Sequence, residues 1–99
     1  MFDDKERDPH TNQEKRLILL EQYGPCCQGC GIKLHERYLE LDHKEPRSGG
    51  GSNLLRNRIL LCGPCNKLKR DWYTLVWLRQ ENKKLGYMIN EKVLAPLKS

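Results

Sequence analysis

Two C-x₂-C pairs, Cys27 with Cys30 and Cys62 with Cys65, are the first residues whose types and spacing could do chemistry. A two-residue spacer lets a turn place both sulfurs on one ion, and two such pairs complete the four ligands of a tetrahedral Zn²⁺. The 31 residues between the pairs exceed ordinary finger spacing, but loop-closure entropy grows only logarithmically with length. A second candidate is the stretch LELDHKEPRSGGG, residues 39–51, in which an alternating run ends on adjacent Asp42 and His43. A carboxylate beside an imidazole can hold a cation or move a proton at neutral pH. Proline and three glycines then free the chain to swing away.

The cysteines admit a redox reading as well. CGPC at 62–65 lies where a strand meets a helix, as in thioredoxin-like proteins. That fold needs further strands after its helix, whereas residues 66–99 read as mostly helical, and it leaves Cys27 and Cys30 unexplained. Structural zinc is therefore preferred. Cys26 is surplus and reads as a partly buried free thiol, since C-x₂-C followed by Gly31 makes the better knuckle.

Ninety-nine residues, 37% of them hydrophobic and 31% charged, suit one domain with a thin core that leans on a metal. The longest apolar runs, Leu17–Leu20 and Ile59–Cys62, are far too short to span a bilayer, and MFDDKERD is no signal peptide. A cytoplasmic protein with no membrane partner is expected, and in a reducing compartment paired cysteines favour metal over disulfide. The formal charge of +5 favours a polyanionic partner, though four thiolates on one Zn²⁺ would leave about +3. Distribution must decide.

The elements that would carry these residues can be placed from local signals. Residues 1–10 read as a flexible N-terminal arm and 11–99 as the single domain. Thr11 with Glu14 forms a capping box for a helix over about 12–22, with Leu17, Ile18 and Leu20 giving it an apolar face. Strands are expected at Tyr38–Asp42 and Arg58–Leu61, separated by a loop of about 15 residues, long enough to be functional or disordered. Gly63, Pro64 and Asn66 open a basic helix. Trp72–Leu85 reads as another, with Trp72, Leu75, Val76 and Leu78 toward the core and Gly86 closing it, and a short helix follows Asn90.

Strand, Asp42-His43, long loop, Asn57, strand, and Cys62-x-x-Cys65-Asn66 together form an ordered pattern. YLELDHKEPRSGGG...RNRILLCGPCNKLK resembles the zinc-braced branch of the HNH nuclease family over about residues 27–70. That resemblance implies an α+β fold: a small ββα-metal (His-Me finger) motif with two C-x₂-C zinc knuckles and flanking helices. By the same analogy Asn57 orients the histidine or pins the loop.

Phosphodiester hydrolysis needs a base for water, a cation for the developing charge, and residues that hold both. His43 suits the base. Asp42 and the amide oxygen of Asn66 suit catalytic Mg²⁺ or Mn²⁺, distinct from the zinc. Adjacent strand residues point to opposite faces, so Asp42 and His43 can converge only if the strand ends or twists there. Lys69 and Arg70 follow Asn66 by three and four residues on its helix face, and Lys44, Arg47, Arg56 and Arg58 add charge around the loop, so all six are candidate phosphate contacts. His10 and His35 read as ordinary surface histidines, and Trp72, Tyr73 and Trp77 as core rather than a stacking platform.

The leading expectation is a metal-dependent DNA endonuclease, acting on double-stranded DNA and nicking as a monomer or weak dimer. A catalytically silent zinc-binding DNA module is the alternative, and a thioredoxin-like oxidoreductase a distant third. Similar modules occur attached to DNA methyltransferases, so a modification-linked role is also open.

Overall fold

A computed structural model describes residues 8–97. Helix α1 spans Asn12–Tyr23, strand β1 Leu39–His43, strand β2 Arg58–Cys62, helix α2 Gly63–Lys69 and helix α3 Leu75–Leu85. Short 3-10 turns occupy Glu36–Tyr38, Arg47–Gly49, Leu55–Asn57 and Glu91–Val93. The fold is α+β, with a two-stranded antiparallel sheet at its centre, and the ββα order of β1, β2 and α2 agrees with the ββα-metal expectation.

Register follows from burial. All five residues of β2 are buried, so this strand is the spine, and β1 pairs along it with Leu39 opposite Cys62, Asp42 opposite Ile59 and His43 opposite Arg58. Leu19, Leu39, Ile59, Leu60, Leu61, Leu75 and Leu78 pack into one core with the paired cysteines. Helix α1 starts on the expected capping box, Thr11 Oγ1 accepting from Glu14 N and Glu14 Oε1 accepting from Thr11 N. Its buried residues are Lys15 and Leu19, whereas Leu17, counted in the apolar face, stands exposed.

The expected helix at Trp72–Leu85 is corrected to Leu75–Leu85. Thr74 is its N-cap, the hydroxyl accepting from Trp77 N, so residues 71–73 belong to the turn after α2. Leu75, Leu78 and Asn82 form the buried stripe, while Trp72 is 72% exposed and Val76 also faces out. Trp72 is therefore not core. Tyr73 stacks on Trp77 with ring centroids 3.9 Å apart.

The loop between the strands is ordered around Asn57. Its Oδ1 accepts from Glu45 N, and its Nδ2 donates to the carbonyls of Glu45 and Ser52. Gly51 lets the chain close, since a Cβ there would sit 2.0 Å from Glu45 O. The expected N-terminal arm falls mostly on residues 1–7, outside the described residues. Asp8 is tied to this loop, its carboxylate accepting from Leu55 N at 2.6 Å.

Candidate active site and metal centre

Cys27 and Cys30 sit on a knuckle after α1, Cys62 ends β2, and Cys65 lies in the first turn of α2. The knuckle closes because Gly31 takes φ +82, as expected from its position, and its N–H donates to Cys27 O. The four Sγ atoms lie within 4.8 Å of one another, with Cys30 and Cys62 sulfurs 3.9 Å apart. Zn–S bonds of about 2.3 Å in a tetrahedron require sulfurs roughly 3.8 Å apart, so the donor set has the size and chemistry of such a cage. Hydrogen bonds with Cys30, Cys62 and Cys65 drive the Cys27 thiol far toward thiolate, and those with Cys27, Cys30 and Cys62 push the Cys65 thiol far up. Asn82 braces the centre, donating to Cys65 Sγ and to Gly29 O. Both pairs converge on one point, which a redox couple at 62–65 does not require. Cys26 lies outside the cluster, buried and bridged through its backbone to Lys33.

At the other end of the sheet, β1 delivers Asp42 and His43 together. Asp42 Oδ1 lies 3.9 Å from His43 Nδ1, so the two side chains do converge where the strand ends. His43 Nε2 is 3.0 Å from Asn53 Oδ1, and the same oxygen accepts from Arg58 Nη1 at 2.7 Å. Arginine can only donate, so this atom is the amide oxygen and the imidazole must donate to it from Nε2. The lone pair is thereby left on Nδ1, on the Asp42 side. Burial lowers the His43 pKa, opposed by the hydrogen bond to Asn53, and Arg58 adds to the lowering, so the neutral ring is favoured.

Asp42, Asn66, Glu40, Arg70 and Asp71 line an open cleft of about 700 Å³ between β1 and α2. Asn66 Nδ2 donates to Glu40 Oε1, which directs its amide nitrogen to the strand and leaves its oxygen without a hydrogen-bond partner among the described residues. Carboxylate and amide oxygens are the hard donors that Mg²⁺ or Mn²⁺ takes, so this set fits such a cation. Arg70 ends α2 at φ 55 and ψ −160, a region that glycine alone occupies without strain. Among the described residues it is the one non-glycine with positive φ, and it lines this cleft.

Of the residues expected at the site, Asp42, Asn66 and Arg70 line one cleft, and His43 adjoins it through Asp42. Among the described residues the Asn57 side chain is hydrogen-bonded to Glu45 and Ser52 rather than to His43; it pins the loop, and Asn53 is hydrogen-bonded to the ring instead. Lys69 and Arg58 are corrected from surface cations to buried ones. Lys69 Nζ faces Asp42 Oδ2 at 3.2 Å, and Arg58 is spent on Asn12, Asn53 and the Asp42 carbonyl. Lys44 and Arg56 line a separate cleft with Tyr23, Leu75 and Pro96. Arg47 is exposed on its 3-10 turn, close enough to lower the His43 pKa, and the neighbouring Ser48 hydroxyl donates to Asp71 O at the cleft edge. His10 pairs with Asp8, and His35 caps the turn at Glu36–Tyr38. Sequence reasoning missed Glu40 and Asn53. Glu40 was detectable, because strand alternation puts it on the face of Asp42, whereas nothing local marks Asn53.

Residues 27–71 match the family model described as HNH endonuclease. The chain is also 36% identical over 66 residues to the CRISPR-associated endonuclease Cas9 of Actinomyces naeslundii, which takes in 66% of this chain and 6% of that protein. The chain thus corresponds to a small fraction of that relative's length. No solved structure matches.

Proposed function

With an HNH endonuclease domain recognised over residues 27–71, we propose that this protein is a divalent-cation-dependent DNA endonuclease braced by structural Zn²⁺. The observation that carries the reading is the fixed tautomer of His43: Arg58 sets Asn53, Asn53 Oδ1 accepts a hydrogen bond from Nε2–H, and Nδ1 keeps its lone pair beside Asp42. In this reading Nδ1 takes a proton from the attacking water. Asp42 and Asn66 would hold Mg²⁺ or Mn²⁺, with Glu40 orienting the amide. Such a cation would supply positive charge for the phosphate and the 3′ leaving oxygen. Arg70 and Arg47 grip phosphates around the cleft, and contacts of this kind position the duplex without reading its sequence. One such set of residues engages one phosphate, so a monomer nicks a single strand.

The test is incubation of supercoiled plasmid with Mg²⁺, Mn²⁺ or EDTA, alongside a DNA-binding measurement. Cleavage with either metal and none in EDTA is expected. Metal-independent binding with no cleavage would instead establish the silent DNA-binding module.

A further inference from the structure

Lys69 closes α2 three residues after Asn66, yet its side chain is almost wholly buried with Nζ 3.2 Å from Asp42 Oδ2. The two charges face each other without hydrogen-bond alignment, and neither atom has a hydrogen-bond partner among the described residues. Taking an ammonium and a carboxylate oxygen out of water is costly, and apolar residues of similar size commonly serve folding as well or better. The pair therefore offers the fold little. What it does is divide the Asp42 carboxylate into two unlike oxygens. Oδ2 is sealed against the lysine, while Asp42 still lines the cleft beside Asn66, which leaves Oδ1 as the oxygen on offer there.

We propose that Lys69 is a positioning residue, a built-in counter-ion that holds Asp42 with Oδ1 toward the cleft and keeps the affinity for a divalent cation weak. This rests on the reading of Asp42 as a cation ligand. The sign follows from charge. A cation bound by Asp42 shares that carboxylate with an ammonium, and like charges repel strongly where water is excluded. Weak retention suits a cation that keeps its waters and exchanges them for a substrate phosphate.

Binding of Mn²⁺ alone to the zinc-loaded full chain, followed by electron paramagnetic resonance, tests the proposal without reference to cleavage. Lys69→Gln keeps a donor for Oδ2 but removes the charge, and should tighten Mn²⁺ binding by about tenfold or more. Lys69→Met should also tighten it. Lys69→Arg, which keeps the charge, should stay within about threefold of the parent. A lysine that merely filled space would give no tightening. Unchanged or weaker binding in folded Lys69→Gln, with Asp42→Asn abolishing binding, overturns the role of Lys69 while leaving Asp42 a ligand. Tightening by Lys69→Arg equal to that by Lys69→Gln also overturns it. Mn²⁺ binding that survives Asp42→Asn overturns the ligand reading and this proposal with it.

Discussion

His43 illustrates what a residue type can and cannot announce. Its neighbour Asp42 and its place at a strand end are visible in the sequence, but its protonation geometry is set by Asn53 and Arg58, one in an irregular loop and one across the sheet. Long-range hydrogen bonds of this kind leave no spacing to read. Two variants separate the roles. His43→Ala should lower the cleavage rate by roughly 10²–10⁴-fold with fold and DNA affinity retained, since a general base acts in the transition state. Asn53→Ala should cost on the order of 10- to 100-fold in kcat with little change in KM, because the ring is misplaced rather than lost. Single-turnover rates at saturating metal check both, and a parent-like kcat for Asn53→Ala would remove it from the site. Asn57, marked by the family pattern, holds the loop through three hydrogen bonds, so its replacement should appear as lost stability as well as lost rate.

At the scale of elements, Arg70 ends α2 in a conformation suited to glycine while facing the cleft. Strain of that kind costs about 1–3 kcal/mol. Arg70→Gly should therefore raise thermal stability while weakening DNA binding and cleavage, a pair of opposite changes that melting and binding measurements read together. The two C-x₂-C knuckles stand at the opposite extreme. Structural zinc contributes ~10 kcal/mol or more to small domains, so Cys65→Ser should unfold this one, as seen by circular dichroism, and zinc should survive dialysis of the parent. Local chemistry was legible: the Thr11 and Glu14 capping box, the positive φ of Gly31 and Gly86, and both strands were readable because each depends on neighbours in sequence. The start of α3 was not, because Trp72 continued the apolar spacing while the Thr74 cap starts the helix at Leu75, three residues later. Lys69 was misread for a related reason. Helical spacing gives its face, but only the packing of α2 on β1 shows that this face is closed at Lys69 and open at Asn66 and Arg70.

For the whole molecule, the described residues hold one four-cysteine centre at the Cys62 end of the sheet and Asp42 with His43 at the other, with Asn66 on α2 between them beside Glu40, within a radius of gyration of 13.1 Å. Cations at the cleft would meet phosphates rather than base edges, so DNA affinity should fall steeply between low and physiological salt with little dependence on sequence, as filter binding across salt would report. The decisive measurement is a time course of supercoiled plasmid in Mg²⁺, at concentrations where sedimentation shows only monomer, run beside His43→Ala. An open-circular form should appear before any linear product, with nothing in EDTA and nothing above background from purified His43→Ala. Equal cleavage by His43→Ala, with contaminating nuclease excluded, would contradict the assignment of His43 as the base.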